Sequence, residues 1–225
     1  MSFVDAKNLS IENESIDYIF TDPPYGDAVP YFEQSVIWNS WLKLNPDYKN
    51  EIVISDSKER KKDSNTYELE INLAFSEIRR VLKSDKYFSL TYHSLSGKEW
   101  KAITNACIKN GFELIDYEWL VQKSFTPRQI NRLKSIKGDV LVSLQKSEMP
   151  EEHITRSDLE VSEIFIEKID SWLLESKTLD MNEIFLRIMK MVFQEKLLIG
   201  NVDLLKILIE NFQFTENQKW KINSN

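Results

Sequence analysis

Glycine is scarce in this chain. It has five glycines in 225 residues, each standing alone, and no Gly-x-Gly occurs anywhere. A loop that cradles a ligand through positive φ and close backbone approach has little to be built from. A single cysteine, Cys107, excludes an internal disulfide, and with two histidines there is no Cys/His cluster of the kind that holds zinc. No apolar run approaches the ~20 residues of a membrane span. The first residues, Met1-Ser2-Phe3-Val4-Asp5, carry neither the basic nor the apolar region of an export signal. These absences lead to the expectation of a reducing, cytoplasmic setting without membrane or metal. Cations are also in the minority, 29 against 36 acids, for a net charge of −7. Any contact with a polyanion is therefore confined to local patches.

What is present alternates between strand and helix signals up to about residue 146. Ile16-Asp17-Tyr18-Ile19-Phe20 is a short apolar run stopped by Asp22-Pro23-Pro24. Leu69, Leu73, Ile78, Val81 and Leu82 form a helical stripe. Tyr87-Phe88-Ser89-Leu90-Thr91-Tyr92 reads as a strand, and a helix through Trp100, Ile103, Cys107 and Ile108 ends at Asn110-Gly111. Residues 112–121 and 139–144 predict two further strands. The unit is β-α-β-α-β-β, of the α/β class. Residues 147–152 form a polar linker containing Pro150, which divides a portion 1–146 from a module 147–225. That module shows amphipathic segments near 157–175, 180–198 and 201–212. Phe212, Phe214 and Trp220 then suggest a hairpin, so it is all-α or winged-helix-like. No internal repeat or low-complexity tract appears.

The segment that carries chemistry is Asp17-Tyr18-Ile19-Phe20-Thr21-Asp22-Pro23-Pro24-Tyr25-Gly26. An exocyclic amine on a nucleobase is a poor nucleophile, because its lone pair is delocalised into the ring. Two acceptors placed on its hydrogens draw it toward a tetrahedral, nucleophilic state. The Asp22 carboxylate and the Pro23 carbonyl suit that task, and the Pro23-Pro24 pair stiffens the turn that presents them. Tyr25 offers a flat face on which a flipped-out base can stack. The position, at the carboxyl end of a strand, is where open α/β sheets bind ligands.

Residues 17–26 resemble motif IV of amino-group DNA methyltransferases. Asp5-Ala6-Lys7-Asn8-Leu9 resembles the segment whose acidic residue faces the adenine ring of the cofactor. The stretch from Asp27 through Trp38-Asn39-Ser40-Trp41-Leu42 is similar to one found in a bacterial subfamily of adenine-specific DNA methylases. Glu77-Ile78-Arg79-Arg80-Val81-Leu82-Lys83 and Lys137-Gly138-Asp139-Val140-Leu141-Val142 look like the helix end before the family's fifth strand and its final strand. The likeness covers about residues 3–146 and is most specific over 17–42. It implies the C-terminal half of a Rossmann-like methyltransferase sheet, S-adenosylmethionine as methyl donor and adenine N6 of DNA as target. On this resemblance Asp22, Pro23, Pro24 and Tyr25 are catalytic, while Asp5 and Asp22 face the cofactor. RNA guanine-N2 methyltransferases share a similar motif with glycine at the position of Gly26, which keeps RNA as an alternative.

The resemblance starts at the family's third motif. Its glycine-rich cofactor loop and first three strands have no counterpart, so the S-adenosylmethionine pocket is incomplete in this chain. Three readings stay open: a split enzyme whose partner chain supplies the cofactor-binding half, a truncated and inactive remnant, or a cofactor pocket of unrecognised kind. The split or truncated form is favoured, and the non-enzymatic alternative is a remnant or assembly subunit that binds a partner chain or DNA. In either case the strand 16–20 is expected to lie at a sheet edge.

Lys123, Arg128, Arg132, Lys134 and Lys137 form an acid-free basic stretch around Phe125. Together these six residues are expected to contact DNA phosphates and to fill the gap left by a flipped base. Lys58, Arg60, Lys61 and Lys62 alternate with acids and are expected to be solvated. Trp38 and Trp41, three apart, share a helix face and are expected in the core. His93, after the strand ending at Tyr92, is expected to be a hydrogen-bonded strand-end residue.

Overall fold

The computed structural model describes residues 5–27, 29, 31–92, 98–120, 138–149 and 153–223. Strand β1 (Ile16–Thr21) runs parallel to β2 (Leu82–Tyr92). Strand β3 (Phe112–Leu120) is antiparallel to β4 (Asp139–Lys146), and β4 inserts between β2 and β3, antiparallel to both. The sheet order is β1-β2-β4-β3. Helices α1 (Tyr31–Trp41) and α2 (Ser64–Val81) separate β1 from β2, and α3 (Lys98–Lys109) separates β2 from β3. The α/β class is as expected, with α1 as one helix more than the β-α-β-α-β-β reading. After residue 153 come α4 (Asp158–Ser176), α5 (Met181–Gln194) and α6 (Leu204–Asn211). The hairpin of β7 (Phe212–Phe214) and β8 (Trp220–Ile222) follows, and β5 (Ile154–Thr155) pairs with β6 (Leu197–Leu198). No helix among the described residues is long and apolar enough to cross a membrane.

Alternation decides how the sheet packs. In β4, Val140, Val142 and Leu144 are buried, and they lie opposite Tyr92, Leu90 and Phe88 of β2. The Phe88 ring meets Phe75 of α2 and Phe112 of β3 at 5.4 and 5.2 Å, which identifies the face that α2 covers. Helix α2 starts at Asp63, whose carboxylate accepts from the Thr66 amide at 2.8 Å. Its buried stripe is Tyr67, Ile71, Ala74, Phe75 and Val81. The chain passes from Val81 straight into β2, and Asp85 takes a positive φ of 59° within the strand. Around it the register steps from Ile16↔Leu82 to Tyr18↔Tyr87.

The C-terminal helices join the same hydrophobic cluster as the sheet. Trp100 of α3 packs against Phe165 and Phe185, with centroids at 6.4 and 5.4 Å. Buried Asn105 donates to the Ile199 carbonyl at 2.9 Å and accepts from its amide at 2.8 Å. It thereby satisfies both backbone groups of the residue that follows β6. Cys107 is fully buried beside a void of about 10 Å³ lined by Leu90, Val142, Met189 and Phe193 among others.

Helix α1 is held by charge. The Arg60 guanidinium lies 2.7 Å from Glu51, 3.3 Å from Glu33 and 3.6 Å above the centre of the Tyr48 ring. The Phe32 amide donates to Glu51 at 3.0 Å. Lys62 binds Glu70 at 2.6 Å and the Glu51 carbonyl at 2.7 Å. Arg60 and Lys62 are 9% and 8% exposed, so two members of the cluster expected in solvent are buried ion-pair partners instead. Trp38 and Trp41 depart from expectation in the other direction. No residue of α1 is buried, and the two indoles, edge to face at 5.4 Å, are 60% and 73% exposed. Their spacing gave a shared face, and that face has nothing over it among the described residues.

At its β1 end the sheet leaves one face exposed among the described residues. Tyr18 and Phe20, alternating with Ile19, are 55% and 57% exposed, and the strand neighbour of Tyr18, Tyr87, is exposed as well. β1 lies at the sheet edge, as expected from the sequence.

Segment 9–13 is stapled to the end of α2. Arg80 binds the Leu9 and Ile11 carbonyls and Asn13 at 2.9, 2.8 and 2.6 Å. It also pairs with Glu77, which accepts the Leu9 amide at 2.7 Å. The Arg80 hydrogen bonds, with help from the Leu9 amide, pull the Glu77 carboxyl down from 4.5 to about 2. A depressed carboxyl stabilises the folded state above its unfolded value and loses that contribution as pH falls through its folded value. The staple is therefore expected to hold through pH 4.5 and to release toward pH 2. An NMR titration of the Leu9 amide checks this: its midpoint should lie near 2, not near 4.5.

Candidate active site

Parallel pairing brings the carboxyl ends of β1 and β2 side by side. Thr21 pairs with Leu90, so Asp22 and Thr91 each stand one residue beyond that pair. Thr91 Oγ1 donates to Asp22 Oδ1 at 2.9 Å, and the Tyr25 hydroxyl donates to the same oxygen. Asp22 is exposed, not enclosed in hydrocarbon. Among the described residues nothing donates to its Oδ2, and nothing donates to the Pro23 carbonyl.

The corner beneath is held from three sides. Tyr67 of α2, 1% exposed, donates its hydroxyl to the Pro24 carbonyl. The Gly26 carbonyl accepts from the Ile54 amide at 3.1 Å. Gly26 itself has a φ of +56°, and a Cβ there would lie 2.6 Å from Oε1 of buried Glu99. The left-handed backbone favours glycine at that position, and a Cβ would also oblige the Glu99 side chain to shift. Pro23 is buried, and two adjacent prolines leave the turn few ways to relax.

The electrostatics favour a fixed donor beside a charged acceptor. The Tyr25 phenol is pushed above its ordinary range by burial first, then by its hydrogen bond to Asp22 and by the Asp22 charge. It therefore remains a protonated donor. A phenolic O–H lies in the ring plane, so this tether is made at the ring's edge. The Tyr31 phenol, at the start of α1, is also raised, by burial and then by the Asp22 charge.

Of the residues singled out in the sequence, Asp22, Pro23, Pro24 and Tyr25 are brought together. Asp5 is elsewhere in the hydrogen-bond network. Its carboxylate accepts from the Lys7 amide, and Lys7 Nζ reaches Glu70 at 3.1 Å. Lys123, Phe125, Arg128, Arg132, Lys134 and Lys137 lie outside the described residues, as does His93. Their flanking anchors, Tyr92, Leu120 and Asp139, are at the same end of the sheet as Asp22. Sequence reasoning missed Thr91 and Tyr67. A polar residue at the end of an aromatic strand was the available signal for Thr91, but only the parallel register assigns it to Asp22.

No protein-family model matches the chain, and no curated protein does. Among solved structures it is similar to a candidate DNA modification methylase of Thermus thermophilus. That likeness has 14% identity and a TM-score of 0.36, over 70% of this chain and 56% of that one. It is also similar to a SAM-dependent methyltransferase of Methanosarcina mazei, with 14% identity and a TM-score of 0.35, over 64% of this chain and 65% of that one. The chain spans less than two thirds of the length of either.

Proposed function

We propose that this chain is the base-handling half of an S-adenosylmethionine-dependent DNA methyltransferase acting on adenine N6. The observation that carries the reading is the corner itself. Asp22 Oδ2 and the Pro23 carbonyl are two acceptors without a donor among the described residues, set on a diproline turn at the carboxyl end of a parallel strand. An exocyclic NH2 supplies two donors to such a pair. Both acceptors draw its hydrogens out of the ring plane, which localises the lone pair on nitrogen, and they are in place before the base arrives. Tyr25, tethered by its hydroxyl, presents a ring on which the base stacks.

The residues present fit the base and not the methionine end of the cofactor. The glycines stand singly, and those with positive φ serve a diproline corner, a helix stop at Gly111 and the start of a strand at Gly138. When bound, S-adenosylmethionine supplies the methyl group as an electrophile. Asp22 and Pro23 orient the amine toward it, and the proton displaced from nitrogen leaves to water. The reading accordingly includes a second chain that holds the cofactor's methionine end. The exposed edge of β1 and the aromatic face of Tyr18, Phe20 and Tyr87 are where a further strand and a covering helix would dock, since parallel sheets are ordinarily covered on both faces. The same open edge also favours a second reading, an assembly subunit that binds a partner or DNA without turnover.

One experiment separates them. DNA is incubated with labelled S-adenosylmethionine and the chain, alone and with the product of the neighbouring reading frame, and the digested nucleosides are resolved by mass spectrometry. The expected result is N6-methyladenine, strongly dependent on the second chain. Label in N4-methylcytosine, or in RNA offered in parallel, overturns the target. No label in any arm leaves the assembly reading.

A further inference from the structure

We infer that Thr91 is the positioning residue that fixes the Asp22 carboxylate for reaction. The inference rests on the adenine-methylating reading above and names a residue outside the diproline motif. Asp22 is exposed, so no packing holds its side chain, and a carboxylate on an aspartate turns readily about its last torsion. One donor, Tyr25, comes from the same turn and moves with it. Thr91 belongs to β2, and its 2.9 Å hydrogen bond ties the carboxylate to the strand next door, one residue beyond the Thr21–Leu90 pair. Among the described residues it is the one donor to Asp22 from outside the turn. The β-branched threonine is stiff at χ1, so its hydroxyl is held in place by the strand.

Two donors on Oδ1 do more than one. They block that oxygen and leave Oδ2 as the single side-chain acceptor, at an angle the turn and β2 set jointly. Without Thr91 the carboxylate pivots on Tyr25, and the acceptor pair made by Oδ2 and the Pro23 carbonyl is no longer in register with an NH2 group. The base still binds through its ring, so the loss falls on the reaction step.

The test measures methyl transfer by the full chain, with its second chain where activity requires one, for wild type, Asp22→Ala, Thr91→Val and Thr91→Ser. Valine keeps the shape and the strand propensity of threonine and removes the donor; serine restores it. Thr91→Val is expected to lower kcat on the order of 10–100-fold with KM for DNA and cofactor within about twofold, and Thr91→Ser to recover to within about threefold of wild type. The inference is overturned, with the reading intact, if Asp22→Ala is dead while Thr91→Val matches wild type, shifts KM alone, or is matched in its defect by Thr91→Ser. If Asp22→Ala is as active as wild type, or wild type transfers no methyl group, the reading itself fails and Thr91 loses its role with it.

Discussion

Replacing Asp22 with alanine is expected to reduce methyl transfer by about 10²–10³-fold in kcat or more while leaving the protein folded. The reason for the first half is that, on the proposed reading, Oδ2 is one of the two acceptors left without a donor among the described residues, and it would act where charge develops on the amine. The reason for the second is exposure. Asp22 is exposed and accepts from two hydroxyls, so its removal falls among surface substitutions, usually within about 0.5 kcal/mol. Melting curves of the variant should overlay those of wild type. Asp22→Asn separates geometry from charge. Its amide oxygen stays with the Tyr25 and Thr91 hydroxyls, and its NH2 is then aimed where an acceptor is required, so activity should fall nearly as far. An active Asp22→Ala protein would remove the chemical role from the motif altogether.

The second large effect is on stability. Arg60→Ala removes the cation from between Glu51 and Glu33 and strips the face of Tyr48. Glu51, with its side chain 14% exposed, is left without its charge partner, and breaking a buried pair from one side costs about 3–5 kcal/mol. The opposite experiment discriminates between charge and shape. Arg60→Met combined with Glu51→Gln removes both charges and keeps the volume, and should recover more than half of the loss, because a pair replaced as a unit leaves no stranded ion. Denaturant unfolding gives the size of the effect. Hydrogen exchange over residues 31–63 shows whether it is felt globally or as release of α1.

The contrast between these two sites shows what a sequence reveals. The build of the Asp22 corner was legible because it is local: strand, carboxylate, two prolines and an aromatic residue in unbroken succession. The strands and the helices around the sheet were legible through periodicity, which survives without knowledge of neighbours. What was not legible depended on distant partners. Lys58 to Lys62 alternate with acids and look solvated, and nothing local says that Arg60 meets Glu51 and Glu33 or that Lys62 meets Glu70. The spacing of Trp38 and Trp41 fixes a common face but not whether anything covers it. Thr91 reaches Asp22 only through the parallel register of β1 and β2, which a bulge around Asp85 shifts. The insertion of β4 between β2 and β3 likewise has no mark in the sequence, since either order satisfies the alternation of Val140, Val142 and Leu144.

Cys107 offers a practical handle. It is the chain's one sulfhydryl, its acidity is suppressed by burial, and it sits where α3 meets both the sheet and Met189 and Phe193 of α5. An alkylating or colour-forming reagent finds no target while those layers stay closed. Its rate of reaction therefore clocks the separation of the C-terminal helices from the sheet, and no engineered label is needed to follow it.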